Sequence, residues 1–219
     1  MSPVLIFDLD GTLIDSKRDI ADSLNFALAQ EGFDTLPASK IEEMVGHGAK
    51  TLVRDALGNP SDEALGRVFL SFWNRYHDHL LDETKLYPGV LDFLENYPQI
   101  TKAVVTNKPE LFSQKILEGL GIRSHFRWLI GGDTLPIQKP NPEVFAPIFR
   151  ELGEPVSGVM VGDSHVDIEC GRAAGLKTCA VSYGFRPREE LLNYQPDFLI
   201  DRFSDFSALP FLQEEGLNS

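Results

Sequence analysis

The sequence predicts an α/β fold: a doubly wound parallel sheet, Rossmann-like, carrying an inserted all-helical cap domain. Three observations predict it. Short apolar runs recur along the chain, helical patterns alternate with the later runs, and one long interval after the first run breaks the rhythm with helical sequence alone.

The runs expected as strands are Val4–Phe7, Lys102–Val105, Trp128–Ile130, Gly158–Val161, Thr178–Val181 and Phe198–Ile200. Several are continuously apolar, as strands covered on both faces are. Helices are expected over Glu110–Leu120, Pro142–Leu152, His165–Ala174 and Arg188–Leu192, and Gly121, Gly153 and Gly175 follow three of them as C-terminal caps do. The interval from Ser16 to Glu83 is far longer than a crossover requires. Within it Ile20, Leu24, Ala27 and Leu28 share one helical face, and Leu65, Val68, Phe69, Phe72 and Tyr76 form a second stripe. The expected organisation is therefore a core of residues 1–15 and 84–219, with a cap of residues 16–83. The tail Gln213–Ser219 is expected to fray.

Composition narrows the function. With 20 Lys and Arg against 33 Asp and Glu, the chain carries a net charge of −13. Such a surface repels nucleic acid and anionic membrane, and neither is an expected partner. The Met1–Phe7 segment has no basic stretch, and Asp8 and Asp10 cut its apolar run short, so no signal peptide is expected there. Nor is any stretch apolar enough to span a bilayer. Cys170 and Cys179 are read as free buried thiols in a reducing cytoplasm. No heptad or repeat argues for assembly, and a monomer or homodimer is expected.

Four segments carry the chemistry. Asp8-Leu9-Asp10-Gly11-Thr12 follows the first strand, where open α/β sheets build their sites. Its two carboxylates point toward one region, and Gly11 permits a sharp turn and close backbone approach to an anion. Thr106 and Asn107 end the second run with neutral hydrogen-bonding groups suited to phosphoryl oxygens. Lys139 stands before Pro140 and Pro142, which stiffen the chain and fix where its ammonium can reach. Asp163 ends a fourth strand, Ser164 stands at a helix N-cap, and Asp167 lies one turn into that helix. Asp8, Asp10, Asp163 and Asp167 would then converge at one sheet edge. Their mutual repulsion calls for a cation, and oxygen-only ligands beside phosphate select Mg²⁺.

With those motifs in this order, the chain resembles the haloacid dehalogenase-like hydrolase superfamily. Val45-Gly46-His47-Gly48-Ala49-Lys50, Gly131-Gly132-Asp133 and Val181-Ser182-Tyr183-Gly184-Phe185 draw the likeness toward its phosphoglycolate phosphatases. The resemblance implies that Asp8 is the nucleophile and Asp10 the general acid and base, its backbone carbonyl also binding metal. It implies that Asp8 and Asp163 hold Mg²⁺, with Asp167 supporting them. Gly11, Thr12, Thr106, Asn107 and Lys139 would bind the phosphoryl group of a small phosphorylated metabolite, and the cap would close over it. His47 and Lys50 are candidate substrate contacts; Lys50 is either a cation for the carboxylate of 2-phosphoglycolate or a solvated lysine at a helix start. Pyrophosphatases and sugar-phosphate phosphatases or mutases share most of these motifs and remain alternatives. Dehalogenases and phosphonate-cleaving enzymes typically lack the second aspartate, present here as Asp10. A receiver-like phospho-acceptor module would have neither that aspartate nor a helical lid.

Overall fold

The computed structural model describes residues 3–153 and 155–214. Six strands form one parallel sheet: β1 (Val4–Phe7), β4 (Thr101–Val105), β5 (Trp128–Ile130), β6 (Gly158–Gly162), β7 (Lys177–Val181) and β8 (Phe198–Ile200). Their spatial order is β5-β4-β1-β6-β7-β8. All six expected runs are present, within a residue at each end.

Strand β1 alternates across the sheet. Leu5 and Phe7 enter the larger core with Val104, Val159 and Val161, while Val4 and Ile6 enter the second with Ala103, Val105 and Met160. Both faces are thus buried, which is why the strand reads as a continuous apolar run. Phe7 is wholly buried and meets the rings of Phe93, Phe126, Phe203 and Phe206 at 5.7–6.4 Å. Cys170 and Cys179 are buried and unpaired.

Between β2 (Ile14–Asp15) and β3 (Lys85–Leu86) lie α1 (Lys17–Gln30), α2 (Ala38–Met44), α3 (Ala49–Leu57) and α4 (Asp62–Asp78). The stripe Ile20, Leu24, Ala27 and Leu28 is buried, as are Leu65, Val68, Phe72 and Tyr76 on α4. After α5 (Val90–Asn96) comes α6 (Glu110–Gly119), and the Trp73 ring lies 4.2 Å from Phe112 on it, tilted by 39°, joining this helical layer to the sheet layer. The sequence reading did not foresee β2 and β3, which pair antiparallel where the chain leaves and re-enters the sheet layer. Two residues apiece are too short for any periodic signal. Nor did it foresee Asp19. This buried carboxylate accepts from Glu83 N and Thr84 N at 2.8–3.1 Å and from Thr84 Oγ1 at 2.7 Å, tying the start of the helical segment to its end.

The helix expected over Pro142–Leu152 divides into a 3-10 turn, Pro142–Phe145, and α7, Ala146–Leu152. Pro147 has no N–H to continue a single α-helical ladder from Pro142. Two further helices, α8 (His165–Ala173) and α9 (Arg188–Asn193), follow β6 and β7. The expected fraying of Gln213–Ser219 concerns residues that lie largely outside those described. Among the described residues, no helix is long and apolar enough to cross a membrane.

Candidate active site

The site forms at the C-terminal edge of the three central strands. Phe7 is in register with Val104 on one side and Val161 on the other. Chain connections depart in opposite directions from β1, so a crevice opens at its end. The ladder runs one residue further: Asp8 N donates to Val161 O and Thr106 N to Ile130 O, both at 2.9 Å. Asp8, Thr106 and Asp163 therefore emerge side by side.

Lys139 binds this edge together. Its ammonium, 2% exposed, lies 2.6 Å from Asp167 Oδ1 and 3.0 Å from Asp8 Oδ1. Burial alone would lower its pKa, but the Asp167 and Asp8 carboxylates outweigh that and raise it. Asp167 is saturated, since its Oδ2 accepts from Ser164 Oγ at 2.6 Å and Ser164 N at 3.2 Å in a capping box at the start of α8. Asp163 Oδ2 accepts from Phe185 N at 2.6 Å, which leaves Oδ1 for another partner. Burial, above all, pushes the Asp8 carboxyl up to about 6 despite Lys139. Asp163 is also raised, by burial first and then by the neighbouring carboxylates Asp167 and Asp8.

These carboxylates fit a hard divalent cation. Asp8, Asp163 and Asp167 each bring an oxygen within 4.8 Å of the others. Lys139 and Ser164 occupy Asp167, so Asp8 and Asp163 are the residues that would hold Mg²⁺, with Asp167 acting behind them. Oxygen-only donors suit that ion. The raised carboxyls mark charge that one lysine does not fully compensate.

Asp10 is held apart from this cluster. Its Oδ1 accepts from Ser16 Oγ at 2.5 Å, and Lys108 Nζ reaches both carboxylate oxygens at 3.0 and 3.1 Å. Lys108 also donates to Tyr76 Oη at 2.5 Å, so a residue of α4 touches the pair. Lys108 and Tyr76 escaped the sequence reading. Lys108 directly follows Thr106-Asn107, and that adjacency was the available signal; Tyr76 closes an apolar stripe and reads as core.

The structure places five further candidate residues as follows. The Asn107 amide does not point unpartnered at a ligand: its Oδ1 accepts from Lys139 N, and its Nδ2 donates to Lys139 O and Gly46 O, all at 2.9–3.0 Å. It fixes the Lys139 backbone instead. Gly11 does make a close approach, but to a carboxylate of the protein: at φ +79°, a Cβ there would lie 2.2 Å from Asp163 Oδ2. Thr12 is wholly buried and off the pocket wall, with its carbonyl accepting from Tyr183 Oη at 2.9 Å. His47 and Lys50 are exposed and also off that wall, which Gly46, Gly48 and Ala49 form instead. Burying Leu52 on α3 turns Lys50 to the opposite side of the helix. His47 instead lies 5.6 Å from the His165 ring.

The pocket itself measures about 630 Å³, open mouth included. Asp8, Asp10, Thr106 and Asp163 form its polar end, and Ile20, Leu52, Phe72 and Phe112 its apolar wall. Arg186, in the loop after β7, also lines it and was not foreseen.

The family model of haloacid dehalogenase-like hydrolases matches residues 5–181, which hold every group of this edge. The chain belongs to that family. It is 36% identical over 212 residues to phosphoglycolate phosphatase 1 of Pseudomonas aeruginosa, covering 92% of this chain and 77% of that protein. It is 37% identical over 212 residues to a phosphoglycolate phosphatase of Colwellia psychrerythraea, covering 92% and 94%. Among solved structures, one from Haemophilus somnus, described as a predicted phosphoglycolate phosphatase, superposes with a TM-score of 0.86 at 30% identity, over 94% of this chain and 97% of that one.

Proposed function

We propose that this family member is a Mg²⁺-dependent phosphomonoester hydrolase acting on 2-phosphoglycolate through an aspartyl-phosphate on Asp8. The observation that carries it is the separation of the two aspartates: Asp8 belongs to the Lys139–Asp167 cluster, whereas Asp10 is tethered independently by Lys108 and Ser16. One carboxylate can attack while the other handles protons. The names of the relatives support the substrate.

An Asp8 oxygen attacks phosphorus, and the bond from phosphorus to the ester oxygen breaks. Asp10 acts as the general acid toward the departing oxygen, which leaves protonated. Asp10, now a carboxylate, takes a proton from water as that water attacks the same phosphorus, and inorganic phosphate leaves Asp8 restored. Lys139 and the Thr106 hydroxyl stabilise negative charge spread over the phosphoryl oxygens. Asp8 and Asp163 would hold Mg²⁺, which would supply further compensation of that charge. The apolar wall excludes water that would otherwise screen these interactions.

Turnover of phosphoglycolate, pyrophosphate, a hexose phosphate and p-nitrophenyl phosphate with Mg²⁺ tests the reading, alongside Asp8→Asn. Phosphoglycolate should rank first and the variant should be inactive while remaining folded. Preference for pyrophosphate or the hexose phosphate would replace the substrate; an active Asp8→Asn would remove the mechanism.

A further inference from the structure

The pocket wall carries a cation that no carboxylate hydrogen-bonds among the described residues. Lys139 is committed to Asp8 and Asp167, and Lys108 to Asp10. The Arg186 side chain is 9% exposed, yet its nearest carboxylate oxygen, Glu190 Oε1, lies 3.9 Å from Nε, beyond hydrogen-bond reach. Its hydrogen bonds go to neutral acceptors: Nη2 to Val45 O at 2.6 Å and Nη1 to Glu42 O at 3.3 Å. A guanidinium has five N–H donors, so these two bonds leave donors unspent. Buried positive charge whose hydrogen bonds all go to carbonyls, with its nearest carboxylate at 3.9 Å, favours an incoming anion.

Its placement is equally specific. The preceding residue, Phe185, holds Asp163 through its N–H, so the loop that presents Arg186 is anchored to the acidic cluster. The helical layer approaches it closely: a Cβ on Gly46 would lie 3.8 Å from Nη2. Elsewhere Ile20, Leu52, Phe72 and Phe112 give the wall apolar surface, and the other cation on it, Lys108, is paired with Asp10. Lys50, the sequence candidate for this task, is exposed.

We propose that Arg186 is the specificity-determining residue of this pocket, binding a carboxylate carried by the leaving group of a small phosphate ester. The proposal rests on the phosphatase reading above and deepens it. The guanidinium fork matches a carboxylate with paired N–H bonds, whereas a neutral leaving group gains nothing from it. Selection of substrate would thus come from a residue of the sheet layer, with the Glu42 and Val45 carbonyls of the helical layer holding the guanidinium in place.

The test is the ratio of kcat/KM for phosphoglycolate to kcat/KM for 2-hydroxyethyl phosphate, in which a neutral hydroxymethyl group replaces the carboxylate. Wild type, Arg186→Gln and Arg186→Lys are compared with Mg²⁺ present. The wild type should prefer phosphoglycolate. In Arg186→Gln the ratio should fall roughly 10- to 150-fold, the range for a lost hydrogen bond to a charged group, mainly through KM for phosphoglycolate. Arg186→Lys should fall between the two, since it keeps the charge and loses the fork. Equal losses on both esters, leaving the ratio intact, would make Arg186 a structural tie to the Glu42–Val45 segment and overturn the proposal. A wild type that prefers 2-hydroxyethyl phosphate would overturn it without any variant, and leave the phosphatase reading standing. A wild type that hydrolyses no phosphate ester would remove both. Should Arg186→Gln fail to fold, the wild-type preference and Arg186→Lys still decide.

Discussion

Removing Lys139 isolates the electrostatics of the sheet edge. In Lys139→Met the apolar stem is retained, but Asp8 and Asp167 lose the ammonium that lies 3.0 and 2.6 Å from them. Their oxygens then face each other within 4.8 Å. At an effective dielectric of about 20, two unit charges that far apart repel by about 3.5 kcal/mol. Deleting one partner of a buried ion pair costs about 3–5 kcal/mol by independent measure, and the two figures agree. For a chain of this length, each kcal/mol moves the unfolding midpoint by about 2–4 °C, so Tm should fall by about 6–20 °C in chelator. Mg²⁺ should recover part of that loss, by about 2.7 kcal/mol at a hundred times its Kd. Thermal unfolding followed by circular dichroism, with and without Mg²⁺, reads both effects. Turnover of p-nitrophenyl phosphate should drop roughly 10²–10³-fold, as for a lost charge-stabilising donor. A midpoint within about 2 °C of wild type in chelator would refute the counter-ion argument. So would a Tm that does not respond to Mg²⁺ in either protein.

Three further outcomes follow from the same geometry. Asp10→Asn keeps Asp8 in place and should slow turnover by roughly 10²–10⁴-fold; with p-nitrophenyl phosphate, single-turnover kinetics should show hydrolysis of the intermediate suffering more than its formation, and equal slowing would contradict the proton-transfer role. Chelation should silence the protein and Mg²⁺ restore it, while Ca²⁺, with longer bonds and more ligands, should replace it poorly; full activity in excess chelator would exclude the metal. Away from the site, burial lowers the Lys102 pKa from 10.5 to about 8. The unfolded chain binds more protons between those values, so stability should rise with pH across that window, by at most about 1.4 kcal/mol per unit. Urea unfolding of wild type and Lys102→Met from pH 7 to 10.5 should show the difference between them widening in favour of wild type as pH rises; parallel profiles would refute it.

Much was legible in sequence because local patterns there carry global meaning. The run Val4–Phe7 is continuously apolar because alternate residues feed opposite buried layers, and Asp8 and Asp10 directly after it could only stand at the strand's end. Thr106, Asp163 and Asp167 followed by the same logic, because parallel strands release their next residues at one edge. Strand and helix periods likewise set the α/β alternation and the helical character of residues 16–83.

What only the tertiary structure decided are pairings between segments distant in sequence, for which no local signal exists. Lys108 reaches Asp10 across 98 residues and Tyr76 across 32, and Asp19 holds Thr84 across 65. The Asn107 amide was read as a ligand group, but the backbone of Lys139 claimed it, since a buried amide is satisfied by whichever partner packing brings. Lys50 and Arg186 show the same division. Both are cations beside glycine-bearing turns, and the sequence singled out Lys50 alone. Burial of Leu52 turned Lys50 outward, while the Phe185 N–H on Asp163 fixed the loop that carries Arg186 into the pocket wall. The sequence determined which residue types stand at the strand ends; which of them share a bond was decided by the packing of layers that the chain brings together only on folding.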